Sequence, residues 1–155
     1  MTNQQLTAQA VDRYADMVWR LALARTGNVS DAEDVFQEVF LRHLRHGHKL
    51  TSPEHEKAWL IRCTIQRSAS LLTTAHRRHD LPLETAASLG VEDDDRAVYA
   101  AVLALPPKYR TAIHLHYYEG LSLDEIARAT GARQGTVKSW LSRGRAMLAD
   151  ALRET

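Results

Sequence analysis

This sequence of 155 residues predicts an all-α fold: two small helical domains joined by a flexible acidic linker, the second containing a helix-turn-helix. Three observations predict it. Apolar residues recur at helical spacing almost throughout, and nothing alternates as a half-buried strand would. Residues 80–94, DLPLETAASLGVEDD, break that periodicity with a proline, a glycine and an acidic run. Residues 121–152 carry the spacing of small residue, glycine and aliphatic residue that a helix-turn-helix needs.

The length accommodates one ordinary domain or two small ones. With the periodicity break, this gives domains at 1–79 and 95–155 and a linker at 80–94. Hydrophobic residues make up 45% of the chain, enough for packed cores. The net charge of +1 hides an uneven distribution. Residues 1–80 carry 11 Lys and Arg against 9 Asp and Glu, residues 81–100 carry 1 against 5, and residues 101–155 carry 8 against 5. Two mildly basic blocks flanking an acidic one fit polyanion binding at both ends. The single cysteine, Cys63, excludes an intramolecular disulfide. The first residues lack a basic start followed by an apolar run, and no apolar stretch of about 18 residues exists, so a soluble cytoplasmic protein is expected.

Val11, Tyr14, Ala15, Val18 and Ala22 share one face of a first helix, closed by Gly27–Asn28. Ser30 is the expected N-cap of a second helix, with Glu33 completing a capping box. That helix runs to about His46 and stops at Gly47. After the loop HGHKLTS, Pro53 suits the first turn of a third helix, whose dipole Glu54 and Glu56 complement. It reaches about Ala75 and ends in His76, Arg77, Arg78 and His79. Further helices are expected at about 95–104, at about 107–118 between Pro106–Pro107 and Glu119–Gly120, after a Ser122 cap, and from about Gly135 to Leu152.

In the segment 121–152, Ser122 and Glu125 form a capping box, and Leu123, Ile126 and Ala127 make an apolar face. Gly131 sits where a tight turn requires a positive φ. Val137, Leu141 and Leu148 continue the apolar stripe. At 100° per residue from Val137, residues Gly135, Thr136, Lys138, Ser139, Ser142 and Arg143 occupy the opposite side. Two cations, two serines and a threonine without a carboxylate suit base edges and phosphates. Solvated helix faces normally mix signs. Gly144 lies inside the helix at a cost of about 1 kcal/mol relative to Ala, which close packing there would explain. Trp140 lies toward the apolar stripe and is expected to pack rather than read bases.

The second helix has two stripes. Ala32, Val35, Phe36, Val39 and Phe40 form its core face. Asp34, Gln37, Glu38 and Leu41 form the other, which spacing alone leaves open between a docking surface and a solvated face with a stray leucine. The third helix carries Trp59, Arg62, Gln66, Ser70 and Thr73 along one side. Trp59 could stack on a base or belong to the core. With Lys49, Arg67, Arg77 and Arg78, this surface could hold single-stranded DNA.

Taken together, these segments resemble a known family. SDAEDVFQEVFLRHLRH (30–46) resembles the helix by which bacterial sigma factors of the sigma-70 family dock on core RNA polymerase. KAWLIRCTIQRSASLL (57–72) resembles their promoter −10 helix, and LPPKYRTAIHLHYYEGLSLDEIARATGARQGTVKSWLSRGRAML (105–148) their −35-binding domain. The two-domain form is similar to the extracytoplasmic-function (ECF) group. The resemblance implies that Asp34, Gln37, Glu38 and Leu41 contact the polymerase, which makes the second stripe an interface. It implies that the 47–53 loop cradles a flipped −10 base, with His48, Lys49, Thr51 and Ser52 as candidates, because extracting a base costs a few kcal/mol. Trp59, Arg62, Gln66, Arg67, Ser70, Arg77 and Arg78 would serve the −10 strand. Gln66 and Ser70 depart from the family's usual Asn and Asp, which bears on −10 preference. Arg133, Gln134, Gly135, Thr136, Lys138, Ser139, Ser142 and Arg143 would face the −35 element.

The function implied is promoter-specific initiation with core RNA polymerase and promoter DNA as partners, an anti-sigma factor as a candidate third partner, no cofactor and no catalysis. Two alternatives remain: a free-standing helix-turn-helix regulator, and a metal-dependent enzyme or sensor built on His43, His46, His48 and Cys63. The second has little support, since no HExxH or paired CxxC motif exists.

Overall fold

The computed structural model describes residues 1–71 and 96–153. The expected linker 80–94, the last turn of the third helix and its basic end at 76–79 lie outside the described residues. Within them the chain forms α1 (Asn3–Thr26), α2 (Val29–His46), α3 (Pro53–Ser68), α4 (Arg96–Leu103), α5 (Pro107–Ile113), α6 (Leu123–Thr130) and α7 (Gln134–Arg153). Short 3-10 turns follow α2 and α3, and no strand occurs among the described residues.

The first helix starts earlier than its apolar stripe suggests. The Thr2 hydroxyl accepts from the Gln5 N–H, and the Gln5 side chain accepts in return from the Thr2 N–H. This capping box satisfies two backbone donors that a helix start otherwise leaves orphaned. At the other end Gly27 adopts φ 77°, and its N–H donates to Leu23, a left-handed stop that suits glycine. The tight exit places Asn28, not Ser30, at the start of α2. The Asn28 side chain accepts from the Asp31 N–H at 2.8 Å, while Ser30 is already inside the helix. The expected Ser30–Glu33 capping box therefore does not form.

Gly47 ends α2 for a different reason. Its φ is −60°, ordinary right-handed backbone, but a Cβ there would overlap the ring of His43. The chain continues through a 3-10 turn, Gly47–Lys49, into Ser52, which caps α3 by accepting from the His55 N–H at 3.1 Å. Pro53 opens the helix as expected.

In the second half, α5 is shorter than the 107–118 helix expected. From His114 to Tyr118 the backbone widens into a π-type turn, closed by the Glu119 N–H on the His114 carbonyl. Within this turn the His114 ring stacks on Tyr118, with centroids 5.5 Å apart. A search for 3.6-residue periodicity does not register such an insertion. Ser122 and Glu125 form the expected capping box on α6, and Gly131 ends it at φ 78°.

In the first half α1 packs on α2 and α3; in the second, α7 packs on α4, α5 and α6. At Gly144 α7 packs tightly on α5: a Cβ there would lie 2.9 Å from Ile113 Cγ1. Leu21, Leu60, Leu115 and Ile126 are fully buried, each contributing about 1.5–3 kcal/mol of transfer energy. The halves are also packed on one another, α3 against α6 and α1 against α5, with one apolar cluster running through both.

Candidate nucleic-acid and polymerase surfaces

The helix-turn-helix comprises α6, the turn at Gly131 and α7. Val137 and Leu141 are buried against the core, which turns Arg133, Gln134, Gly135, Thr136, Lys138, Ser139, Ser142 and Arg143 outward, all of them exposed. These eight residues thus share a surface made by the N-terminal half of α7 and by Arg133 just before it. One feature corrects the expectation of a carboxylate-free face. The Gln134 amide donates to Asp124 of α6 at 3.1 Å, and Asp124 also pairs with Arg128 at 2.8 Å. The carboxylate comes from the neighbouring helix, invisible to a projection of α7 alone. Arg143 lies by Tyr109, and its hydrogen bond holds that phenol below its usual pKa. Trp140 is half-buried and packs on the core.

The expected −10 residues are less uniform. Trp59 is half-buried against the core, its ring edge-on to His43 at 5.9 Å. Arg62 and Gln66 are exposed on one side of α3. Arg67 points away from them toward α2, where it pairs with Glu38 at 3.8 Å. Ser70 is exposed beyond the end of α3; Arg77 and Arg78 fall outside the described residues. In the loop, His48, Lys49 and Thr51 are exposed. The Ser52 hydroxyl is occupied by its capping bond. Thr51 and Ser52 line a hollow of about 180 Å³ together with Gln9 and Arg13 of α1. Sequence reading assigned no role to those two α1 residues, because nothing in the chain order joins them to the loop.

The His43 ring anchors this end of the domain. Its Nε2 donates to the Glu56 carboxylate at 3.0 Å and its Nδ1 pairs with the Thr7 hydroxyl at 2.8 Å. Both nitrogens are engaged, and among the described residues no cluster of three His, Cys, Asp or Glu could hold a metal ion. On α2, Asp34, Gln37 and Leu41 are exposed and Glu38 is half-buried; Leu41 keeps 48% of its surface in solvent. These four form a continuous stripe away from the core face.

Sequence reading missed the contacts between the halves altogether. Arg20 of α1 makes a two-pronged bond to Glu119, at 2.7 and 2.9 Å, and the His114 Nε2 donates to the same carboxylate at 2.9 Å. Burial pushes the Glu119 carboxyl up, but the bonds from His114 and Arg20 outweigh it and hold it below the usual carboxylate range. Arg25, buried between the halves, donates to Ser68, Thr111 and the Ile65 carbonyl. Desolvation and the neighbouring Arg110 lower its pKa to about 10, so it stays charged at neutral pH. Arg62 donates to the Arg128 and Ala129 carbonyls at the end of α6, and Lys57 lies 3.6 Å from Glu125.

Comparison with known proteins matches both halves. The model for "Sigma-70 region 2" matches residues 10–78, and that for "Sigma-70, region 4" matches residues 95–148. The chain is 35% identical to the ECF RNA polymerase sigma factor SigE of Mycolicibacterium smegmatis, over 93% of this chain and 60% of that protein. It is 30% identical to the ECF RNA polymerase sigma factor SigW of Bacillus subtilis, over 98% of this chain and 91% of that one. Two solved structures share the fold. CnrH in complex with the cytosolic domain of CnrY has a TM-score of 0.75 at 23% identity, covering 97% of this chain and 90% of that one. RpoE in complex with the anti-sigma factor NepR from Bartonella quintana has a TM-score of 0.73 at 21% identity, covering 94% and 96%. No helix among the described residues is long and apolar enough to cross a membrane. This chain belongs to the sigma-70 family of RNA polymerase sigma factors, in its ECF group.

Proposed function

We propose that this chain is a dissociable specificity subunit that directs core RNA polymerase to particular promoters and helps open the −10 element. The observation that supports this most is the outward face of α7, where Arg133, Lys138 and Arg143 are exposed among small hydroxyl side chains and carried on a capped helix-turn-helix. A face of that chemistry fits the major groove of duplex DNA.

Residues 1–79 form the polymerase-docking and −10 unit, 80–94 the linker and 95–155 the −35 unit. Asp34, Gln37, Glu38 and Leu41 contact the polymerase. The loop with His48, Lys49, Thr51 and Ser52 receives a flipped base, and α3 with the 3-10 turn that follows it carries the opened strand along Trp59, Arg62, Gln66 and Ser70. No catalytic group is required: duplex contacts and captured bases offset the cost of strand opening. The chain works in the cytoplasm beside the polymerase. RpoE's complex with NepR makes an anti-sigma factor a candidate partner here as well. Run-off transcription by core polymerase on a promoter library tests this reading. Added protein should switch on a defined subset of templates; stimulation of none would overturn it.

A further inference from the structure

Of the four loop residues read as the cradle of a flipped base, only Thr51 and Ser52 line the hollow beside the loop. Its apolar walls are Leu6 of α1, Leu50 of the loop and Pro53 at the start of α3. The volume, about 180 Å³, lies below the roughly 300–1,000 Å³ usual for drug-sized ligands and suits one planar ring system. The polar groups that α3 brings to it are already spent. The Ser52 hydroxyl accepts from the His55 N–H at 3.1 Å, and the Glu56 carboxylate is held by His43 at 3.0 Å. What remains to meet a ligand is the Thr51 hydroxyl and two side chains of α1, Gln9 and Arg13. Both are exposed, and no hydrogen bond or salt bridge among the described residues engages either.

The wall that α1 supplies is fixed in place. Leu6, Gln9 and Arg13 fall at i, i+3 and i+7, so they share one face of the helix. The Tyr14 hydroxyl donates to the Pro53 carbonyl at 3.3 Å, and the Thr7 hydroxyl pairs with His43 at 2.8 Å. Helix α1 is thus tied to both ends of the loop, and its face needs no ordering when a ligand arrives. The two free groups differ in chemistry. The Gln9 amide both donates and accepts, which lets it pair with a base edge; the Arg13 guanidinium has five donors and no acceptor, which suits phosphate oxygens. Neither residue belongs to the α2 stripe or to the strand surface of α3.

We propose that α1 completes the base pocket: Gln9 reads the edge of the captured base, and Arg13 holds the phosphate beside it. Contacts to phosphate position a strand, and contacts to base edges specify it, so the choice of base is set from α1 as well as from the loop. This rests on the reading of the 47–53 loop as the base receptacle.

The test uses holoenzyme assembled from core polymerase and the full chain. The template is one that responds in the run-off library, with its −10 positions randomised and a barcode in the transcribed part reporting each variant. Circular dichroism checks the folding of every variant chain. Wild type should favour particular bases. Gln9→Leu should flatten the preference about tenfold at one position alone. Gln9→Glu, which keeps an acceptor and loses the donors, should shift that position toward a base offering an amino group. Arg13→Ala should lower output about fivefold for all bases alike, and Arg13→Lys, which keeps the charge, should restore most of it. A merely structural role of Gln9 would not move the preference at a single position. Folded Gln9→Leu with the wild-type preference at every position, or with output lost evenly over all bases, would overturn the assignment of Gln9. Arg13→Ala with undiminished output would overturn that of Arg13. Wild-type holoenzyme that transcribes without favouring any base would sink the loop reading and the proposal with it, whereas one that transcribes no template would sink the proposed function itself.

Discussion

Gly144 of α7 lies against Ile113 of α5 so closely that one added carbon would sit 2.9 Å from Ile113 Cγ1 and 3.1 Å from Cδ1. Ile113 is only 2% exposed, so it has little room to retreat. Two opposing effects meet here. Alanine in a helix interior is favoured over glycine by about 1 kcal/mol. Overpacking a tight core costs about 1–3 kcal/mol. The overpacking should win, so Gly144→Ala is expected to lower stability by about 1 kcal/mol, and Gly144→Val by more. Urea unfolding monitored at the helical signal checks it, and a more stable Gly144→Ala would contradict the packing account.

Gly131 is constrained by backbone rather than by space. Its φ is 78° and no atom lies near a Cβ built on it. Gly131→Ala should therefore cost about 1–2 kcal/mol through left-handed strain alone, and Gly131→Val more. The strain loosens the turn that aims α7, so duplex affinity should fall with stability. Thermal unfolding and duplex binding measured on the same protein check both.

On α7, Lys138→Ala and Arg143→Ala each remove one exposed cation from the proposed reading face. If each meets a phosphate, affinity drops for all duplexes alike, and the slope of log affinity against log salt falls by about 1 per contact. If one reads a base edge instead, the loss is confined to duplexes carrying that base, with about 1–3 kcal/mol of discrimination. A salt titration on two promoter sequences separates the cases.

Asp34→Arg combined with Leu41→Ala should abolish capture of core polymerase, since it reverses a charge and removes the exposed apolar contact in one stripe. The stripe is outward and the core face is untouched, so the thermal transition should stay close to wild type. Retained capture by the folded double variant would point to a free-standing DNA-binding regulator.

Acidification should loosen the contact between the halves. Glu119 has its carboxyl held below its ordinary value of 4.5 by the bonds from His114 and Arg20, against the upward push of burial. A depressed carboxyl contributes stability above its unfolded pKa and loses it as pH falls through the folded one. Scattering across that acidic range should show expansion, with the step absent in Arg20→Ala, which has already lost the pair.

Much of the fold was legible in the sequence because it rests on local signals. Ser122 with Glu125, Pro53 at a helix start, and Gly131 at a turn act through neighbours three or four residues away. The miss at Ser30 is also local: two capping candidates stand side by side, and the left-handed exit at Gly27 decides for Asn28. Gly47 was read as a stop by its identity, while its cause, the His43 ring, lies one helical turn back. The outward face of α7 followed from helix geometry, but Asp124 did not, because it belongs to another helix. Least legible were the long-range pairs. Arg20 and Glu119 are 99 residues apart, and no pattern of either one announces the other.

The His43 side chain ties three helices at one point: it belongs to α2, reaches Thr7 on α1 and Glu56 on α3, and rests on Gly47 beneath it. The loop between α2 and α3 thus starts and ends on fixed ground. A mobile loop would have to be ordered each time it received a ligand, and that entropy would be subtracted from every binding event. Here the ordering is done once, during folding. If the loop receives the −10 base proposed for it, the consequence is kinetic as well as energetic: the base meets a loop whose two ends are already fixed, so capture should be limited by delivery of the base rather than by rearrangement of the protein.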